Sequence, residues 1–185
     1  MRMQFRFPPE CCLLALFCIA ASALSFAQVA PSTKGGGAGL HVFGEFTAGK
    51  PNYDSDFLLG PTVGGYLQFS HWIGGEARGS ILKWGPSHYH QDMALVGPRV
   101  QYPFHRFVPY GAFDVGVAHV TYPPTVEAPV TSANKLAWEL ASGVDYPLNH
   151  RIDLRLFDFT YGKIYVLQHG LNPKGFSSGI VFRLF

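Results

Sequence analysis

Two apolar–polar alternations joined by a short turn occupy residues 135–156, KLAWELASGVDYPLNHRIDLRL. The first alternation places Leu136, Trp138 and Leu140 on one parity and charged residues on the other. The second alternates isoleucine and leucine with aspartate and arginine. A period of two is typical of a β-strand that has one apolar and one polar face. Because the intervening residues 147–150, PLNH, include turn formers, the stretch predicts an antiparallel hairpin.

The same alternation recurs between residues 39 and 185 and predicts eight strands. The short connections between these strands are 70–74, 103–107 and 147–150. The longer connections are 48–59, 85–90, 123–133 and 162–174. Long and short connections alternate, so an up-and-down antiparallel meander would carry every short turn at one end and every long loop at the other.

Two segments interrupt the alternation without changing the strand count. Gly97-Pro98 lies in the fourth segment, and because proline cannot donate a hydrogen bond to a neighbouring strand, we expect a bulge or kink there. The seventh segment slips phase at Phe157-Asp158-Phe159.

The composition restricts the class of protein. Only 14% of the 185 residues are charged and 15% are aromatic, whereas soluble domains carry about 25% charged residues. A disordered chain is excluded because such chains are poor in aromatic residues. A net charge of +2 argues against a strongly basic nucleic-acid binder.

A barrel in a membrane explains the low charge content, because its outer face must be apolar while its interior can hold paired charges. An open sheet edge in lipid would leave backbone groups unpaired, so the sheet must close. We therefore predict an all-β fold, an eight-stranded antiparallel up-and-down transmembrane β-barrel over residues 39–185. A soluble β-sandwich is the alternative.

The N-terminal residues have the pattern of an export signal. Arg2 and Arg6 precede an apolar run over 11–27 that closes on Ser25-Phe26-Ala27, a small-x-Ala cleavage pattern. We predict a cleaved signal peptide over residues 1–27, with an uncleaved anchor as the alternative, and a flexible Gly-rich lead-in over 28–38. All 3 cysteines lie in the signal peptide, so the mature chain would have no disulfides, thiolate metal sites or cysteine nucleophiles.

Together these features resemble the eight-stranded OmpA/OmpX-like outer-membrane β-barrel domain of Gram-negative-type bacteria. In that family a C-terminal strand ending in phenylalanine is the signal read by the outer-membrane assembly machinery, and residues 179–185, GIVFRLF, are similar to such a strand. The resemblance implies that Phe182, Leu184 and Phe185 carry the assembly signal. Arg183 departs from the family pattern, which prefers an apolar residue at that position.

The polar faces of the strands carry a set of charges expected to share the barrel interior. They are Glu45, Glu76, Arg78, Arg99, Asp114, Glu139, Asp145, Arg151, Asp153 and Arg155. The interior of an eight-stranded barrel is just filled by side chains, so we interpret this set as a paired plug that satisfies buried charge. A gated proton or ion path through the same network is the alternative.

Histidines supply the candidates for metal binding and catalysis. His88 and His90 with Asp92 could ligate Zn²⁺ or Cu²⁺, but a third clear ligand is missing. His119 with Thr121, or Ser87 with His88, could act as in the barrel enzymes that modify lipid A, but no acidic partner is placed convincingly. The acidic run over 53–56 lacks the glycine and glutamate of an EF-hand loop. We predict no metal and no cofactor, and we keep a lipid-modifying activity as an alternative.

The expected function is therefore structural or interactive: a monomer in the outer membrane that presents four surface-exposed loops. The expected partners are outer-membrane lipid, the assembly machinery and extracellular ligands of the loops, without nucleic acid. The alternatives are a lipid A acyl hydrolase or transferase, and a narrow gated ion or small-solute channel.

Overall fold

The structure is a computed structural model that describes residues 39–52, 57–83, 89–122, 131–166 and 170–184. Its strands are β1 Gly39–Lys50, β2 Leu58–Gln68, β3 Ile73–Leu82, β4 His90–Gln101, β5 Val108–Tyr122, β6 Thr131–Pro147, β7 Ile152–Ile164 and β8 Lys174–Arg183. These strands close into a barrel in chain order, and each is antiparallel to its neighbours. The predicted fold is confirmed. The expected signal peptide, 1–27, and lead-in, 28–38, lie outside the described residues.

The connections alternate in length as the sequence predicts. The short ones are 69–72, 102–107 and 148–151, and the longer ones are 51–57, 83–89, 123–130 and 165–173. We refer to the two ends of the barrel as the short-turn end and the long-loop end. In the described ranges, no helix has the length and apolar character of a membrane span.

β1 closes the barrel by pairing with both β2 and β8. At its short-turn end His41 lies opposite Tyr66 of β2 and Arg183 of β8, and at its long-loop end Lys50 lies opposite Lys174. Closure gives every strand two neighbours, which is what a sheet surrounded by lipid requires.

Side chains alternate between the lumen and the outer surface. In β1, Glu45 and Thr47 are buried, whereas Phe46 between them is 53% exposed. In β6, Glu139 is buried, whereas the next residue, Leu140, is 48% exposed. The apolar parity of the sequence therefore forms an outer apolar surface, and the polar parity lines the lumen.

Of the bulge or kink expected at Gly97-Pro98, the bulge is wrong. β4 keeps one continuous register with β3 through these residues, and its register with β5 is the same on both sides of them. Pro98 points outward, and only the pairing with β5 is interrupted at the two residues. The missing proline N–H is therefore absorbed as a local gap in one ladder, with no extra residue inserted.

The phase slip predicted over 157–159 is confirmed and is a β-bulge in β7. Asp145 of β6 lies opposite Arg155, and the next residue back, Val144, lies opposite Phe157, so Leu156 is the extra residue. Leu156 and Phe157 both face outward. The bulge therefore brings Arg155 and Asp158, three positions apart, to the same inner face.

Candidate functional site

The lumen contains nine of the ten charged residues predicted for it. The buried ones are Glu45, Glu76, Arg78, Arg99, Asp114, Glu139, Asp145, Asp153 and Arg155. Arg151 does not join them. It lies in the turn before β7, where its backbone N–H donates to the Asn149 side chain at 2.8 Å, and it is exposed. Strand parity does not extend into a turn, which explains the difference.

Arg78 lies at the centre of four carboxylates contributed by different strands. Its Nη2 is 2.5 Å from Glu76 Oε1 and 3.1 Å from Asp158 Oδ2. Its Nη1 is 3.3 Å from Glu139 Oε1, and its Nε is 3.5 Å from Asp114 Oδ2. One fixed guanidinium fork thus ties β3 to β5, β6 and β7 across the lumen.

The other two buried arginines, Arg99 and Arg155, share Asp145. Arg99 Nη2 donates to Asp145 Oδ2 at 2.9 Å, and Arg99 Nη1 donates to Glu76 Oε2 at 2.6 Å. Arg155 Nε donates to Asp145 Oδ1 at 2.8 Å, and Arg155 Nη1 donates to Glu45 Oε1. All five side chains are almost completely buried, so the contacts are strong and little screened by solvent.

Aromatic rings stack on the same two arginines. The Arg99 guanidinium carbon lies 4.0 Å from the Tyr66 ring centroid and 3.6 Å from that of Tyr110. The Arg155 carbon lies 4.4 Å from the Phe43 centroid and 4.5 Å from that of Tyr110. Tyr110 is thus sandwiched between two cations in a desolvated site, where cation–π attraction is strongest.

Two glycines make room for these rings. A Cβ on Gly64 would lie 2.4 Å from the Phe43 ring, and one on Gly143 would lie 2.6 Å from the Tyr110 hydroxyl oxygen. The Phe43 and Tyr110 rings therefore each pack against a residue that has no side chain.

Sequence reasoning missed Asp158 and the lumen rings Phe43 and Tyr110. Phe43 shares the parity of the buried Glu45, and Tyr110 shares that of the buried Asp114, so strand parity was the available signal. Asp158 falls at the phase slip, where parity changes sign and predicts neither face.

Carboxylates outnumber guanidiniums in this network. Six buried acids, Glu45, Glu76, Asp114, Glu139, Asp145 and Asp158, face three buried arginines. Neither oxygen of Asp114 or Asp158 makes a hydrogen bond within the described part of the chain. Each arginine therefore compensates more than one buried carboxylate.

An apolar cluster fills the lumen at the long-loop end, next to the network of charged residues. It consists of Leu58, Leu82, Tyr89, Leu95, Ala118, Val120, Ala137, Ile164 and Val166. Beneath it the Thr47 hydroxyl hydrogen-bonds to Thr62 at 2.6 Å and to Ser177 at 2.8 Å. A cavity of about 20 Å³ next to Arg78 and Glu139 has room for about one water. The described side chains thus fill the middle of the lumen and its long-loop end.

The histidine candidates lie apart from this network. His119 is on the outer face near the long-loop end, and its Nδ1 is 2.6 Å from Asn134 Oδ1. Asp92 pairs with Lys83 at 3.4 Å. Ser87, His88 and the acidic run over 53–56 lie outside the described residues. Within the described ranges, no three histidine, cysteine or acidic side chains are placed to hold a metal ion.

The C-terminal strand places two of the three expected assembly residues on the outer surface. Phe182 is 45% exposed and Leu184 is 55% exposed, and Phe185 lies outside the described residues. Arg183 points inward and binds Asp153, its Nε donating to Asp153 Oδ2 at 2.9 Å. A charged residue is therefore accommodated there because its position faces the lumen.

Comparison with solved structures identifies similar barrels. The Neisserial surface protein A structure aligns with a TM-score of 0.62 at 10% identity, covering 81% of this chain and 99% of that one. OprG from Pseudomonas aeruginosa aligns with 0.55 at 10% identity, covering 81% and 97%. Ail, the attachment invasion locus protein of Yersinia pestis, in complex with the heparin analogue sucrose octasulfate, aligns with 0.54 at 12% identity, covering 82% and 100%. At these identities the likeness shows a shared fold.

Comparison of the sequence with curated proteins found no match. The family model for the outer membrane protein beta-barrel domain matches residues 11–183, most of the sequence. The family model describes an outer-membrane barrel, and the closed antiparallel sheet and the similar structures agree with it in fold. The chain belongs to the outer membrane protein beta-barrel domain family.

Proposed function

We propose that this protein is a monomeric structural and interaction protein of the outer membrane, which presents four surface loops to ligands or other cells. The observation that carries the proposal is that side chains fill the middle and the long-loop end of the lumen. Arg78, Arg99 and Arg155 cross-link the strands through buried carboxylates, and an apolar cluster closes the long-loop end. Such an interior supports a rigid scaffold for loops better than a conducting pore.

The arrangement of the connections supports the same role. The longer connections leave the barrel at one end, which in outer-membrane barrels is the extracellular end. We further propose that Phe182, Leu184 and Phe185 are recognised by the assembly machinery, and that a signal peptide over residues 1–27 directs export.

Conductance measurements test the proposal against a channel. Purified, folded protein inserted into planar bilayers should give no single-channel current steps. Folding of the same sample is checked by heat-modifiable migration on gels, in which an unboiled barrel runs differently from the boiled chain. Reproducible current steps from the folded protein would overturn the proposal in favour of a narrow channel.

Lipid chemistry is the second candidate, and one observation favours it. His119 and Asn134 are hydrogen-bonded on the outer face near the long-loop end, where outer-leaflet headgroups would lie. Incubation of the folded protein with lipid A and a phospholipid as acyl donor, followed by mass spectrometry, should show no loss or gain of acyl chains. Acyl release that disappears in His119→Ala but persists in His71→Ala, a change at an exposed turn histidine, would establish the enzyme instead.

A further inference from the structure

The short-turn end of the lumen opens into a cavity of about 620 Å³, which we name the vestibule. Inward-facing side chains of several strands line it, among them His41, Tyr66, Gln68, Gln101, Asp153 and Arg183. Small-molecule sites in proteins typically occupy about 300–1,000 Å³. The vestibule therefore has the size of a ligand site, and it faces the end opposite to the surface loops.

The inner end of the vestibule is closed by a stacked layer. The Arg99 guanidinium lies between the rings of Tyr66 and Tyr110 and donates to Asp145 at 2.9 Å. A solute would therefore enter from the short-turn end, which faces the periplasm in outer-membrane barrels.

The two carboxylates in the wall are already engaged by arginines. Asp145 forms ion pairs with both Arg99 and Arg155. Asp153 Oδ2 accepts a hydrogen bond from Arg183 Nε at 2.9 Å, and the ion pair also brings Arg183 Nη2 to 2.7 Å from Asp153 Oδ1. Because their charge is compensated, these carboxylates oppose the entry of an anion only weakly.

Donors in the wall remain available. Arg151 lines the vestibule and makes no ion pair with another residue in the described ranges. The ring of His41 stacks on Tyr66 with centroids 4.3 Å apart and forms part of the wall, while its Nδ1 is buried behind the ring surface. His105 and His150 line the rim from two of the short turns. Cationic and imidazole groups without matching acceptors favour a negatively charged ligand.

We propose that the vestibule binds one small molecule that carries a carboxylate or phosphate group and enters from the periplasm. Arg151 supplies the uncompensated positive charge, and the rim imidazoles of His105 and His150 supply hydrogen bonds. The terminal carboxylate of a short peptide and free inorganic phosphate share this chemistry. The proposal is independent of what the surface loops bind.

Calorimetric titration of the folded full-length protein in a nonionic detergent tests the proposal. Inorganic phosphate and N-acetylalanine are titrated separately at constant ionic strength. At least one probe should bind saturably with one site per chain, and the tighter probe identifies whether phosphate or a peptide carboxylate is preferred. Arg151→Gln should weaken binding by about tenfold, and His150→Phe, which removes one rim imidazole, should weaken it by a smaller factor.

Arg106→Gln is the matched control, because Arg106 is exposed in a short turn but does not line the vestibule. It should leave the dissociation constant unchanged. Arg151→Gln breaks no ion pair, and heat-modifiable migration verifies that each variant is folded. Absence of saturable binding by both probes would refute the proposal. Equal weakening in Arg106→Gln and Arg151→Gln would also refute it, since it would indicate a diffuse attraction to the whole short-turn end.

Discussion

Each lumen arginine compensates carboxylates from strands that are distant in the chain. Arg155 in β7 binds Asp145 in β6 and, 110 positions away in sequence, Glu45 in β1. Breaking a buried pair by removing one partner costs about 3–5 kcal/mol, because the remaining charge stays desolvated. These contacts therefore restrict the lumen to the one closed arrangement in which every guanidinium meets its acids.

Arg155→Gln should lower the free energy of unfolding by about 3–5 kcal/mol, because it leaves Glu45 and Asp145 short of a cation. Urea unfolding of the protein in lipid vesicles measures the change. Arg106→Gln, which removes the same charge from an exposed turn, should change stability by less than about 0.5 kcal/mol. A stable Arg155→Gln barrel that conducts ions would contradict the plug interpretation.

Tyr110 allows the contribution of its ring to be separated from that of its hydroxyl. The hydroxyl makes no hydrogen bond to a described residue, whereas the ring lies between Arg99 and Arg155. Tyr110→Phe should therefore stay within about 0.5 kcal/mol of the parent, and Tyr110→Leu should lose about 1–3 kcal/mol. Equal losses in the two variants, measured by the same urea unfolding, would assign the effect to the hydroxyl.

Residue identity alone predicted which charges enter the lumen wherever a strand alternates strictly, as at Glu45, Arg78 and Asp114. It did not predict that Arg151 lies in an exposed turn at the mouth of the vestibule, outside the charge network, and it missed Asp158, which lies beyond the bulge. The pairing of acids with arginines could not be predicted. It depends on which side chains meet across the closed lumen, and strand parity carries no information on that distance.

At the scale of the strand, the β7 bulge has a defined structural role. It offsets β7 by one residue against both neighbours, so that Arg155 lies opposite Gly179 while Asp158 lies opposite Ser177. The Ser178 hydroxyl donates to the Arg155 carbonyl at 3.0 Å, which satisfies an acceptor at the point where the ladder is interrupted.

Deletion of Leu156 should be tolerated, because Arg155, Phe157 and Asp158 would then alternate regularly between lumen and outer surface. Deletion of Leu154 is the matched control. It would move Asp153 to the outer face and separate it from Arg183, so folding yield should fall. Refolding into vesicles followed by heat-modifiable migration compares the two, and an equal failure of both would show that the bulge itself is required.

Gly97-Pro98 shows what alternation cannot predict at this scale. Proline removes one donor, and a strand can absorb that loss either by an inserted residue or by a gap in one ladder. The constant register of β4 with β3 and β5 selects the gap. That choice depends on the neighbouring strands, whose register is set by closure of the whole barrel.

At the scale of the molecule, the two ends of the barrel differ in character. The long-loop end is closed inside by Leu58, Leu82 and the rest of the apolar cluster, whereas the short-turn end opens into the vestibule. The two proposals therefore assign different compartments to the two ends, and both depend on the orientation of the barrel in the membrane.

Cysteine labelling tests that orientation directly, because the only cysteines are Cys11, Cys12 and Cys18, within the expected signal peptide. Phe57→Cys places a thiol at the end of the first long connection, and Arg106→Cys places one in a short turn. A membrane-impermeant maleimide added to intact cells should label only the first variant, and both should react after lysis. The parent chain should stay unlabelled in intact cells. Labelling of Arg106→Cys alone would show that the barrel has the opposite orientation, with the vestibule outside the cell. That result would remove the basis for surface presentation by the long loops.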